Sequence, residues 1–240
     1  VASLVGSEMC IRDSFTTDPK VVSNAKKLDS ITMEEMLELA GQGAKVMQTR
    51  AVEFANKYNV PVRVLSSFNE GSGTLITLKD ESMENALVSG IAFQKDQIKF
   101  TLHGVGDVPG TAFKILGPIS DAEVEVDVIV QNVSVDGKTD FTFTVSSEEE
   151  DTVKKVLESV RNDINFKELI VDSNIAKVSL VGVGMRSQAG VASRAFKALS
   201  ENDVNIQIIC TSEIKITMVV EKNIVDKAVE VLHKEFDLEK

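Results

Sequence analysis

Two stretches of the chain carry the same chemistry-bearing loop. The first, "HGVGDVPGTAFKILG", runs from His103, and the second, "VGVGMRSQAGVASRAF", runs from Val181. Each places glycines just before a helix-like run. Glycine lets backbone N–H groups approach a ligand closely. A helix N-terminus adds unpaired N–H donors and a partial positive charge. Together they favour a small anion such as the carboxylate of an amino acid. In the first copy Asp107 stands at the loop mouth, where it could accept a ligand ammonium group. Downstream, Val124, Val126, Val128 and Val130 alternate with Glu125, Asp127 and, one residue further on, Gln131. Alternation of this kind puts the polar set on the face opposite the valines. This chemistry suits an amino-acid ligand. The plainer alternative stays open: a Gly-Pro-Gly-like turn before a helix is often only a connection, and duplicated domains also serve as dimerisation platforms.

The elements that position these loops repeat as well. "KFTLHGVG" (99–106) aligns with "KVSLVGVG" (177–184), and Pro109-Gly110 aligns with Ala189-Gly190, the second loop being two residues longer. The valine ladder aligns with Val204, Ile206, Ile208 and Cys210. Each copy then adds a strand ("DFTFTV", "EIKITMVV") and a helix ("DTVKKVLESV", "VDKAVEVLHKEF"). A strand-like piece precedes each copy, "ALVSGIAF" and "KELIV". Repetition at this period points to duplicated small domains. The element order is that of a ferredoxin-like βαββαβ sandwich, an antiparallel sheet with helices on one face.

Upstream, "FTTDPK" is a turn in which Asp18-Pro19 biases the chain away from helix. Thr32 and Glu35 have the spacing of a capping box. Met33, Met36, Leu37 and Ala40 then form one helical face, ended by Gly41 and Gly43. A second helix is expected from 44 to 58, with Ala44, Met47, Ala51, Phe54, Ala55 and Tyr58 on its apolar face. "VPVRVLSSF" reads as a strand, "NEGSGTLI" as a loop returning to a short strand, and 79–86 as a polar linker. Residues 1–14 show no periodicity and no signal-peptide pattern. They resemble a translated adapter sequence of the kind found at the ends of metagenome-derived proteins, and they are set aside.

Composition narrows the classes. The 240 residues are 43% hydrophobic and 26% charged, with a formal net charge of −11. These proportions fit a globular chain with a real core. So acidic a chain, without a basic block, is a poor partner for nucleic acid. Apolar runs are strand-sized, too short to span a membrane. The two cysteines, Cys10 and Cys210, have no ligand spacing, which argues against a zinc site or a disulfide framework and fits a reducing cytosol. His103 and His233 are far apart in sequence, and each reads as a surface or core residue rather than a catalyst.

These motifs carry a resemblance. "FTTDPKVV", "KLDSITMEEMLELAGQGAKVMQTRAVEFANKYNVPVRVLSSF", "QNVSVDGKTDFTFTV", "KVSLVGVGMRSQAGV" and "CTSEIKI" resemble the C-terminal part of aspartate kinase, over nearly all of Phe15–Lys240. The resemblance implies the end of an amino-acid kinase α/β domain (15–80) followed by two amino-acid-sensing ACT domains, 87–171 and 172–240, with strand 87–93 available to pair with the second. It implies a parent enzyme that phosphorylates L-aspartate with ATP and Mg, on the way to lysine, threonine and methionine. It further implies feedback inhibition by threonine and/or lysine, a homodimer through the ACT domains, and a cytoplasmic location.

Residue by residue, Phe15, Thr16, Thr17, Asp18, Pro19 and Lys20 match the family's nucleotide-contacting loop. Phe15 replaces a tyrosine and Lys20 an arginine, which removes a hydroxyl and a guanidinium fork. Lys45 matches a lysine near the ATP phosphates. Asp107, Val108, Pro109, Gly110, Thr111 and Ala112, with Glu125, Val126, Asp127 and Gln131, match one effector site. Val191, Ala192, Asn205, Ile206, Ser212 and Glu213 match the other half of such a site. Gln188 stands where a histidine is common and Cys210 where a serine is common. The family's N-terminal "KFGGTS"-like signature and most of its phosphate-binding machinery are absent. No metal site is expected in the chain, and phosphoryl transfer is not expected from it alone. It reads as a truncated catalytic subunit or as the equivalent of a separate regulatory subunit, able to pair with a full-length catalytic one.

Overall fold

The computed structural model describes residues 14–44, 46–66, 70–78, 87–132 and 136–240. Lys45, the linker 79–86 and residues 1–13 lie outside this set. The chain divides into two compact units. One joins residues up to Gln94 with Lys177–Lys240, and the other is Lys95–Ala176.

In the first unit, β1 (Ser30–Thr32), β2 (Val62–Val64) and β3 (Thr74–Thr77) form a three-stranded sheet in the order β1-β3-β2. β1 is parallel to β3, and β2 is antiparallel to it. β1 was not anticipated, because its three residues run straight into the capping box of α1 (Met33–Gly41). That box forms as expected, with Thr32 accepting from the Glu35 N–H and Glu35 accepting from the Thr32 N–H. α1 buries Met33, Met36 and Leu39 against Ile31, Val52, Ala55, Val64 and Ile76.

The second helix is shorter than its sequence pattern. α2 spans Thr49–Lys57, capped by Gln48 in extended conformation. Its buried face is Val52 and Ala55. Phe54 and Tyr58 lie on the exposed side, stacked with ring centroids 6.5 Å apart. A spacing of four satisfies ring-on-ring contact as well as core burial, so periodicity alone could not separate the two.

The rest of this unit is the second repeat. β7 (Glu168–Val181) enters it, followed by α6 (Val191–Glu201), β8 (Ile208–Thr211), β9 (Lys215–Glu221) and α7 (Val225–Glu235). β9 lies between β7 and β8, and β8 pairs with it antiparallel. The Ser89 N–H donates to the Val181 carbonyl, which lays residues around 89 alongside the end of β7 (2.8 Å). Ala195, Leu199, Met218, Val220, Ala228 and Leu232 are buried here.

The Lys95–Ala176 unit is the first repeat. β4 (Gly90–Gly106) leads into α3 (Thr111–Asp121), β5 (Ile129–Gln131), β6 (Lys138–Ser146), α4 (Glu150–Ser159) and the short α5 (Arg161–Ile164), and β7 closes it. Strand order is β5-β6-β4-β7. Phe100 and Phe143 are direct cross-strand partners whose rings stack at 5.4 Å. Ile115 and Ile119 of α3 and Val153 and Leu157 of α4 complete a fully buried core on one face. Both repeats therefore have the mixed α/β, antiparallel-sheet organisation read from the sequence. No described helix is long and apolar enough to cross a membrane.

Truncating Phe143, which is 0% exposed, removes ring contacts at the centre of the first repeat. Phe143→Ala is expected to cost about 3–5 kcal/mol, read as a lower urea midpoint for this unit.

Candidate functional site

The two repeated loops arrive at their helices by the same backbone geometry. Gly110 caps α3 at φ 92°, ψ −5°, and Gly190 caps α6 at φ 95°, ψ −3°. Both are left-handed, a region costly for residues with a Cβ. A Cβ on either would meet nothing within 4 Å. The glycine requirement is therefore conformational, and the space beside each helix N-terminus is open.

In the first loop, Asp107, Val108, Pro109 and Gly110 are exposed, as is Ala112, while Thr111 is buried. The Thr111 hydroxyl donates to the Gly106 carbonyl (2.7 Å), and the Asp107 N–H donates to the Gly137 carbonyl (2.9 Å). Val124 and Val128 are buried, Val126 packs on the same core, and Glu125, Asp127 and Gln131 face solvent. The inward–outward alternation holds, although only Ile129–Gln131 is ladder-paired as a strand. Gln131 reaches back to the loop, its Nε2 lying 3.5 Å from Asp107 Oδ1. Loop and strand thus bring a carboxylate and an amide together beside the N-terminus of α3.

Before this loop β4 bulges between Leu102 and Val105. Asp140 pins the bulge by accepting the Gly104 N–H (3.0 Å) and pairing with His103 Nδ1 (2.9 Å). The Gly104 N–H, helped by His103, holds the Asp140 carboxyl below the usual carboxylate range. His103 is thus a surface residue with a structural partner.

In the second loop Val183–Ser187 forms a short 3₁₀ turn, and Val191 is buried with Ala192 half-buried behind it. Asn205 is exposed, and Ile206 is partly buried. Ser212 and Glu213 lie in the exposed β8–β9 turn, where the Ser212 N–H donates to the Lys215 carbonyl (2.8 Å). Arg186 bridges two carboxylates, Glu213 (3.2 Å) and Glu34 of α1 (3.0 Å). Beside it, Lys215 pairs with Glu38 (2.8 Å). A shallow pocket of about 360 Å³ lies among Glu34, Leu37, Glu38, Arg186, Ser212, Glu213 and Ile214. Arg186, Lys215 and their α1 partners were not singled out in the sequence, since nothing local links residues so far apart.

The "FTTDPK" segment is a tight turn. Asp18 Oδ1 accepts the Lys20 N–H (2.9 Å), and the Asp18 carbonyl accepts the Val21 and Val22 N–H groups (both 3.0 Å). Phe15 forms an isolated bridge with Lys27. Asp18 and Lys20 are exposed, and Pro19 is partly so. Among the described residues, the hydroxyls of Ser14 and Thr17 are buried without a hydrogen-bond partner. Lys45, which the resemblance places near the ATP phosphates, lies outside the described residues. Among the described residues no group of three or more His, Cys, Asp and Glu side chains is gathered to hold a metal ion.

Thr16 is committed elsewhere. Its Oγ1 accepts the Lys26 N–H (3.1 Å) and shares a hydrogen bond with His233 Nε2 of α7 (2.9 Å). His233 is 1% exposed, and burial pushes its pKa below the ordinary value of 6.5. A neutral ring can accept the Thr16 proton at Nε2, but a protonated ring cannot. The folded chain therefore disfavours the proton that the unfolded chain binds near pH 6.5. The stabilisation is complete above that pH and is lost as pH falls below it toward the lowered folded value. Thermal unfolding between about pH 7 and 5 should show wild type losing more stability than His233→Gln, with the two curves diverging only on the acid side.

Comparison with known proteins agrees with this layout. Residues 15–66 match the Amino acid kinase family, and residues 102–164 and 178–236 each match the ACT domain. Aspartate kinase of Pseudomonas fluorescens (strain SBW25) is 59% identical over 226 residues, covering 94% of this chain and 55% of the relative. The chain thus spans about half the length of that curated relative. In a crystal structure of aspartokinase alpha and beta subunits, one chain is 43% identical with a TM-score of 0.59; the match takes in 62% of this chain and 99% of that one. E. coli aspartokinase III in complex with lysine and aspartate (T-state) is 28% identical with a TM-score of 0.74, over 93% of this chain and 49% of its own. A 43% identical chain matched over nearly its whole length fixes the family. The chain belongs to the aspartate kinase family and corresponds to its C-terminal region, part of the amino acid kinase domain followed by two ACT domains.

Proposed function

We propose that this chain is a feedback-sensing portion of aspartate kinase and that its repeated loops bind L-threonine and/or L-lysine. The observation that carries this reading is the pair of left-handed glycine caps, Gly110 and Gly190, each opening a helix N-terminus to free space. An α-carboxylate suits the N–H donors of such a terminus. In the first repeat Asp107, with Glu125, Asp127 and Gln131 beside it, supplies acceptors for an ammonium group or a hydroxyl. Val108, Pro109, Thr111, Ala112 and Val126 form the rest of that site, and Val191, Ala192, Asn205, Ile206, Ser212 and Glu213 form the corresponding half-site of the second repeat. The lysine-bound aspartokinase III similar to this chain supports the choice of ligand.

The first ACT domain spans 87–171 and the second 172–240, with strand 87–93 completing the second. The Ser89–Val181 hydrogen bond supports that exchange. In the whole enzyme, which converts ATP and L-aspartate to 4-phospho-L-aspartate, Phe15, Thr16, Thr17, Asp18, Pro19, Lys20 and Lys45 border the nucleotide with its Mg. The assembly is a dimer through the ACT domains, alone or with a full-length catalytic subunit, in the cytoplasm. The similarity to a chain from aspartokinase alpha and beta subunits supports the subunit form.

Calorimetric titration tests the reading. L-threonine and L-lysine are added singly, then each after saturation with the other. Heat from at least one is expected, and an order effect would measure coupling between sites. No heat from either, in a folded sample, would leave the pair as an assembly platform without a ligand. Asp107→Asn should weaken binding about tenfold, about 1.4 kcal/mol. Gly110→Val, which forces a β-branched residue into the left-handed cap, should abolish first-site binding while the far-ultraviolet spectrum is retained. ATP consumption with L-aspartate and Mg should stay at background for this chain alone.

A further inference from the structure

Glu35 is 0% exposed, yet it is a carboxylate. Burying that group is tolerable only if its oxygens are fully bonded. One oxygen, Oε2, serves the helix cap, accepting the Thr32 N–H (3.2 Å) and the Thr32 hydroxyl (2.7 Å). The other, Oε1, has no part in the cap. It accepts the Ser89 hydroxyl (2.6 Å) and the Val183 N–H (2.9 Å). A capping box needs one carboxylate oxygen. The second is spent on two segments that lie 54 and 148 residues away in sequence.

Those two segments meet each other as well. Gly182 has no room for a Cβ, which would stand 2.5 Å from the Leu87 carbonyl oxygen and 2.8 Å from Val88 Cα. Residues 87–89 and 182–183 are thus pressed together, and Glu35 Oε1 bonds one member of each. Val183 begins the turn that carries Arg186 and leads to Gly190. Around this buried contact α1 and its C-cap residue Gln42 make three more links to the second repeat. Glu34 pairs with Arg186, Glu38 pairs with Lys215, and Gln42 Oε1 accepts the Ser179 hydroxyl (3.0 Å). The Arg186–Glu34 pair is half-exposed and the Lys215–Glu38 pair is partly exposed, and each is worth little singly. The Glu35 contact and the Gln42–Ser179 bond are shielded from water, and of the two Glu35 is the one that reaches the Val183 turn.

We propose that Glu35 is the positioning residue that couples the effector loop of the second repeat to helix α1 of the kinase-derived segment. Moving the 183–190 turn away from α1 breaks the Val183 bond and leaves a buried carboxylate oxygen half-satisfied, so the turn and the helix shift together. The proposal rests on the effector-binding reading given above, and its test separates the two.

Hydrogen exchange of the full chain, without ligand, is compared for wild type, Thr32→Ala and Glu35→Gln. Thr32→Ala removes the hydroxyl of the cap and leaves Oε1 with its partners. Glu35→Gln keeps one acceptor oxygen and puts an NH2 donor in place of the other, so it cannot accept from both Thr32 and the Ser89–Val183 pair. Thr32→Ala should speed exchange only in the first turn of α1. Glu35→Gln should speed it at least tenfold in 183–190 as well. A Glu35→Gln pattern confined to the first turn of α1 would make Glu35 a cap and nothing more, and would overturn the proposal. If Glu35→Gln does not fold, Ser89→Ala, which removes a single Oε1 partner, takes its place with the same expected spread to 183–190. In a second arm, saturating L-threonine or L-lysine should slow exchange in 183–190 and in 33–41 together in wild type, but in 183–190 alone in Glu35→Gln. A response of α1 that survives in Glu35→Gln would also overturn it. If neither amino acid changes anything in wild type, the effector reading falls, and the ligand-free arm still decides the coupling.

Discussion

A carboxylate shut away from water dictates what must surround it, and in this chain that carboxylate is Glu35. A carboxyl group in a low-dielectric interior needs hydrogen-bond partners on both oxygens. Thr32 can supply donors to only one of them without leaving the capping geometry. The remaining oxygen requires donors from elsewhere, and Ser89 and the Val183 backbone meet that need. From this follows much of the first unit. The chain entering β4 must run past the start of α1, the end of β7 must turn there, and Gly182 must be a glycine so that the two can touch. A core of Ile31, Met36, Ile76, Ala92 and Val181 then fills in around the same contact.

The two repeats share a backbone device and differ in its chemistry. Both set a left-handed glycine ahead of an eleven-residue helix and bury a residue at its first position, Thr111 or Val191. The first loop then presents Asp107 with Gln131 close by. The second presents Arg186, already engaged by Glu34 and Glu213. Equal geometry with unequal charge is what duplication followed by specialisation produces. It also means that any ligand of the second loop competes with an existing ion-pair network, whereas the acceptors of the first lie open to solvent.

Much of this was legible in the sequence because it is local. The capping box of Thr32 and Glu35, the glycines of the two loops and the alternation of Val124 to Gln131 are set by neighbours within a few residues. The repeat exposed the fold because two copies of one strand–helix–strand–strand–helix order narrow the choices far more than one does. What escaped was set by distance. β1 has three residues and exists only because β3 lies beside it. The outward stacking of Phe54 on Tyr58 uses the same spacing as a core stripe. The other duty of Glu35, the bridge at Arg186 and the burial of His233 against Thr16 all join segments that the sequence keeps far apart, up to 217 residues for the last.

That separation carries a thermodynamic consequence. The turn at 15–20 does not stand on its own segment. Thr16 leans on His233, Lys26 Nζ donates to the carbonyl of Lys240 (2.7 Å), Asn24 bonds Glu239, and the Ile91 N–H donates to the Thr16 carbonyl (2.7 Å). Residues 16–26, the last residues of the sequence and the start of β4 are thus tied together, the Thr16–His233 bond being buried and those to Glu239 and Lys240 exposed. Local opening of the turn must break bonds to α7 and to β4, so the turn inherits its stability from the second repeat rather than from its own sequence. Anything that binds only the ordered second repeat stabilises the turn by the same linkage. No moving lever is required for a ligand on one side of this unit to be felt on the other. A shared folding equilibrium transmits it, and the stiffness of that transmission is set by how few of the connecting groups water can reach.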